Sequence, residues 1–84
     1  MKGVCPTIMA VLLDNRTDCA PRVQQKLTEH GCIIQTRLGI HEGCEDRGLI
    51  LLNLCGSDDQ VTGLEKDLNS IPGVRTRSMK LDLS

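Results

Sequence analysis

Residues 7–14 read TIMAVLLD. In an extended chain Ile8, Ala10 and Leu12 fall on one side, and Met9, Val11 and Leu13 on the other. A short run that is apolar on both sides reads as a central strand, covered above and below. Asn15, Arg16 and Thr17 follow as a turn. Asp18 is placed to cap a first helix, with Pro21 tolerated inside its first turn. Ala20, Val23 and Leu27 form one apolar stripe at spacings of 3 and 4, and Arg22, Gln24, Gln25, Lys26 and Glu29 fill the outer side. Gly31 supplies a stop.

Residues 32–40 return as a strand with Ile34, Thr36, Leu38 and Ile40 on one face and Ile33, Gln35, Arg37 and Gly39 on the other. The polar segment HEGCEDRG, residues 41–48, is a hairpin loop. Residues 49–55, LILLNLC, form a third strand, apolar on both faces apart from Asn53. Ser57 and Gln60 make a capping box for a second helix, whose stripe is Val61, Leu64, Leu68 and Ile71. Gly63 costs this helix about 1 kcal/mol relative to Ala and permits a close helix approach. Pro72-Gly73 ends it, and residues 74–83 read as a fourth strand.

The order is β-α-β-β-α-β, with each half a strand, a helix and a strand. It predicts an α+β, ferredoxin-like βαββαβ fold: two helices on one face of a four-stranded antiparallel sheet. At 84 residues a single domain over residues 1–84 is expected, with one modest core. The second sheet face then carries either Met9, Val11 and Leu13, or Leu49, Leu51 and Cys55, depending on register. Such a face predicts a homodimer or higher oligomer.

Composition removes several functions. The chain has no Phe, Tyr or Trp, so it cannot stack bases as an RNA-recognition module does. Ten basic and eleven acidic residues leave a net charge of −1, so no direct nucleic-acid partner and no membrane surface is expected. No apolar run approaches the roughly 20 residues that span a bilayer. No signal-peptide pattern is read at the N-terminus. Five cysteines, Cys5, Cys19, Cys32, Cys44 and Cys55, are an odd set that suits a reducing cytoplasm rather than a disulfide framework. No two are spaced as C-x-x-C, which excludes a soft-metal chaperone loop. There is no phosphate-cradling glycine loop, no paired carboxylates and no nucleophile-base set, so an enzyme is not expected. The sequence assigns no cofactor.

Three groups remain as candidate sites. Asp14, Asn15 and Arg16 precede the first helix, where side chains and helix amides can hold an anion or serve as ordinary cap chemistry. Arg37 and Gly39 share a strand face, either as an anion contact or as a rim ion pair to Glu42, Asp46 or a neighbouring subunit. His41 and Cys44 sit three apart with Glu42 and Glu45, as ligands for Zn²⁺, Ni²⁺ or Co²⁺ completed by a second subunit, or as a polar hairpin. His30, next to the helix stop, reads as a favourable helix-end cation.

The stretches Asp14-Asn15-Arg16, Glu29-His30-Gly31, Ile33-Ile34, Arg37-Leu38-Gly39-Ile40, Gly48 and Ile71-Pro72-Gly73-Val74 resemble the small ACT-like proteins known as iron-only hydrogenase system regulators. The resemblance spans about residues 7–81. That family is similar in fold to ACT domains and to the C-terminal domain of the nickel-responsive regulator. It implies a cytoplasmic, self-associating, ligand-sensing regulatory module, with alternatives in a metal-binding module using His41 and Cys44 or a structural protein–protein adaptor. The chain departs from ACT domains in having Asp18-Cys19-Ala20-Pro21 where they place Pro-Gly. It departs from the nickel regulator in lacking alternating histidines and a DNA-binding ribbon.

Overall fold

A computed structural model of the chain describes residues 6–41 and 46–81. Its elements are β1 (Thr7–Leu13), α1 (Arg16–Glu29), a 3₁₀ turn (Gly31–Ile33), β2 (Ile34–His41), β3 (Gly48–Leu54), α2 (Asp58–Asn69) and β4 (Val74–Lys80). The four strands form one antiparallel sheet in the order β2-β3-β1-β4. Both helices lie on one face, as the alternation predicts for a split βαβ arrangement. The third and fourth strands are offset from their predicted ends by a residue or more, and residues 82 and 83 lie outside the described residues.

The register decides which side of β1 meets the helices. Met9, Val11 and Leu13 are buried with Leu52 and Leu54 of β3, Val74 of β4, Val23 and Leu27 of α1, and Leu64 and Leu68 of α2. Each such aliphatic side chain contributes about 1.5–3 kcal/mol on leaving water. Ile8, Ala10 and Leu12 therefore face away from the helices, with Leu49 and Leu51 of β3 beside them. Cys55 lies past the end of β3 and is no part of that face. The first expected set of open-face residues is thus the core, and only Leu49 and Leu51 of the second set are on the open side.

Two local expectations change. A bulge between Ile34 and Thr36 lets Ile34 stand opposite Leu54 and pack on the core, while Thr36, Leu38 and Ile40 turn to the open face. Strict alternation had placed Ile34 with them. Helix α1 begins at Arg16 with Asn15 as its N-cap, so Asp18 is its third residue. The Asp18 side chain instead accepts a hydrogen bond from Asn15 Nδ2 at 3.0 Å. Pro21 consequently falls in the sixth helical position, where it removes the amide that would bond the Thr17 carbonyl. At the other end His30 is the C-cap and Gly31 opens the 3₁₀ turn.

The remaining punctuation follows the sequence. Ser57 Oγ accepts from the Gln60 amide at 3.2 Å, and Gln60 Oε1 accepts from the Ser57 amide at 2.9 Å, completing the capping box. Gly73 turns with φ 85°, a left-handed value that costs other residues about 1–2 kcal/mol. Gly56 is fixed by space, since a Cβ there would lie 2.7 Å from Ile33 Cγ2. Asn69 braces the outer edge of β4, its Oδ1 accepting from the Thr76 amide at 3.1 Å.

The two helices meet through His30, whose Nε2 lies 2.7 Å from Asp67 Oδ2. This hydrogen bond is the largest cause holding the Asp67 carboxyl below its ordinary value; desolvation opposes it, and the charges of Lys26 and His30 add to it. His30 thus ties α1 to α2 rather than serving only its own helix end. A Cβ at Gly63 would meet His30 Cε1 at 3.9 Å, an ordinary contact. The glycine is therefore not demanded by a close approach. Gly63→Ala is expected to raise unfolding stability by about 0.5–1 kcal/mol, read as a higher urea midpoint at unchanged slope. The depressed carboxyl of Asp67 stabilises the fold above its unfolded value near 3.8, and that contribution is lost as pH falls through the lower folded value. The melting temperature of Asp67→Asn is therefore expected to lie below that of the natural chain at pH 6, the gap closing as the pH is taken below 3.8.

Candidate functional site

Strand β2 is an edge strand that runs out from beneath the helices. On its helix side stand Arg37 and Gly39, opposite Leu52 and Ile50 of β3. Both are exposed. A groove of about 240 Å³ opens there, walled by Ala20 and Gln24 of α1, closed at one end by Leu13 and floored by Gly39, Gly48 and Ile50. Two glycines on neighbouring strands leave bare backbone as the floor. A Cβ built at Gly39 meets nothing within 4 Å. Further along the same helix a second hollow of about 360 Å³ is lined by Leu27, Thr28, Ile34 and Arg37. Arg37 has no ion-pair or hydrogen-bond partner for its guanidinium among the described residues. Of its expected rim partners, Asp46 is engaged elsewhere and Glu42 lies outside the described residues.

The turn before α1 is a separate place. The Asp14 amide donates to the Gly73 carbonyl at 2.8 Å, joining the end of β1 to the loop after α2. Arg16 starts the helix, and its side chain lies outside the described residues. The amide and hydroxyl of Thr17 donate to the Asp46 carboxylate at 2.9–3.2 Å. Negative charge at a helix N-terminus is favourable, and here the chain supplies it from the β2–β3 loop. Beside Asp14, Asn15 and Arg16, the Thr17 amide of the first helical turn thus already meets a carboxylate of the chain. Asn15 lines a shallow hollow with Asp18, Cys19, Arg22, Ile71 and Pro72. Asp14, Asn15 and Arg37 do not line the groove that Gly39 floors.

The backbone of His41 pairs with Gly48 at the end of β2; its side chain, and all of Cys44, lie outside the described residues. Among the described residues no three His, Cys, Asp or Glu side chains gather as a metal site. Cys19 is buried in the core, its thiol donating to the Pro72 carbonyl at 3.1 Å, while Cys32 is exposed and Cys55 half-buried; all three are free thiols.

The uncovered sheet face forms three tiers across β2, β3, β1 and β4: Ile40, Leu49, Leu12 and Arg75; Leu38, Leu51, Ala10 and Arg77; Thr36, Asn53, Ile8 and Met79. Leu38 is 56% exposed, Met79 59%, Ile40 40% and Leu12 38%. Sequence reading found Arg37 and Gly39 because a charge and a glycine are unusual in mid-strand. It missed Gln24 and Gly48, which were assigned to an outer helix side and a loop; only the crossing of α1 over the hairpin brings them together.

Among the described residues no helix is long and apolar enough to cross a membrane. No protein-family model matches the chain, and no curated protein matches it in sequence. Solved structures do. An uncharacterized protein from Thermotoga maritima is similar with a TM-score of 0.86 at 25% identity, over 92% of this chain and 96% of that one. The C-terminal domain of the MgtC protein from Mycobacterium tuberculosis gives 0.74 at 13% identity, over 99% and 94%. A formyltetrahydrofolate deformylase from Pseudomonas putida gives 0.61 at 15%, over 88% of this chain but only 28% of the enzyme. The chain shares with them a small ferredoxin-like fold.

Proposed function

We propose that the chain is a non-catalytic, cytoplasmic regulatory module that binds a small anionic effector along the α1–β2 groove. The observation that carries this is the pairing of a glycine floor at Gly39 and Gly48 with the Arg37 guanidinium, without a partner among the described residues, on the same side of β2. Backbone without side chains gives an apolar body room to settle, and Arg37, two residues along the same face of β2 and lining the second hollow, offers a forked donor to a carboxylate or phosphate that extends beyond the groove. The side-chain amide of Gln24, on the helix wall of the groove, supplies a second polar contact. The resemblance to iron-only hydrogenase system regulators gives the proposed context: an effector whose level is linked to that system. Binding acts by favouring one of two arrangements, so the effector must bind them with different affinity.

The test is a thermal-shift screen of amino acids, other small carboxylates, nucleotides and divalent metals. At ten times its Kd a ligand adds about 1.4 kcal/mol, a rise of several degrees for a domain of this size. The Gly39→Leu variant fills the groove in open space and is expected to keep its fold while losing the shift. Arg37→Ala is expected to weaken anions at least tenfold. Indifference of the natural chain to the whole panel would overturn the proposal.

A further inference from the structure

We infer that the uncovered sheet face is the contact surface for a second copy of this chain, docked about a two-fold axis that runs along the strands. The inference goes beyond the effector proposal and holds whether or not the groove is ever filled.

Three of the four strands present no charge to this face, whereas β4 presents Arg75 and Arg77. Neither arginine has an ion-pair or hydrogen-bond partner for its side chain among the described residues. That one-sided layout distinguishes the possible ways of stacking two sheets. A two-fold axis across the strands lays β4 on β4 and brings four guanidinium groups together, which like-charge repulsion opposes. An axis along the strands lays β4 over the partner's β2 and β3 over the partner's β1. The arginine pairs then stand at opposite rims, their stems over Leu38 and Ile40 and their charged ends in water. The same operation sets Leu51 against the partner's Ala10, a large side chain against a small one, and does so twice because the contact is isologous. Leu49 meets the partner's Leu12. No charge is buried between the matched tiers, and in the third tier Asn53 lies over the partner's Ile8.

The area sets the strength. Four strands about 4.8 Å apart and about 24 Å long give a footprint of about 450 Å² per copy, below the roughly 800 Å² per partner of stable complexes. A contact of this size is expected to be weak and reversible, so a concentration series that spans the micromolar range is needed to see both forms.

Sedimentation velocity on the full chain, from 1 to about 500 μM, reads this directly. The natural chain is expected to pass from one copy to two across that range, at low and at high salt alike. Leu38→Lys and Leu51→Lys, each checked for retained fold by circular dichroism, are expected to raise the midpoint concentration at least tenfold; Leu38 is on the edge strand and mostly exposed, so its replacement leaves the core untouched. Arg77→Glu, at the rim, is expected to change it less than threefold. A single-copy mass throughout would overturn the inference, and would do so equally if an acidic partner protein were the true occupant. So would dimers that survive both lysine variants, as an edge-to-edge pairing through β2 would, or a tenfold loss in Arg77→Glu.

Discussion

Two helices can cover only one face of a four-stranded sheet, and the central strands β1 and β3 of this chain are apolar on both. That mismatch governs the molecule. The covered side takes Met9, Val11 and Leu13 from β1 and the alternate residues of β3, and closes a core with thirteen buried hydrophobic side chains among the described residues. The uncovered side is left with Ile8, Ala10, Leu12, Leu49 and Leu51 and with the outward residues of two edge strands. The two edges are unlike. β4 is braced by Asn69 and by bonds from Ser78 and Lys80 to acidic residues of α2, whereas β2 has no such brace among the described residues.

What could be read from the sequence was whatever depends on near neighbours. Ser57 and Gln60 are three residues apart and cap α2 as their spacing implies. The Pro72-Gly73 stop and the stripe from Val61 to Ile71 are equally local. The start of α1 is not: its amide at Thr17 is bonded by Asp46, twenty-nine residues away, so the local candidate Asp18 was the wrong cap. The bulge before Thr36 was invisible for a related reason. It changes the face of Ile34 through pairing with β3, and no residue in that stretch is a turn-former that announces it.

The candidate site shows the same division. Arg37 and Gly39 stand out in sequence because neither suits the middle of a strand. Their neighbours Gln24 and Gly48 come from other elements and have no local mark. The helix N-terminus beside Asp14, Asn15 and Arg16 attracts negative charge from any source, and at Thr17 the hairpin loop provides it.

The bare patch at Gly39 has a mechanical consequence. An edge ribbon is held by ladder bonds on one flank only, and at this residue the peptide plane is the entire thickness between one side of the layer and the other. Leu38 and Ile40, its immediate neighbours, project from the reverse side. Any push on that plane from above must tilt both of them below, so the two surfaces of the ribbon cannot be displaced independently.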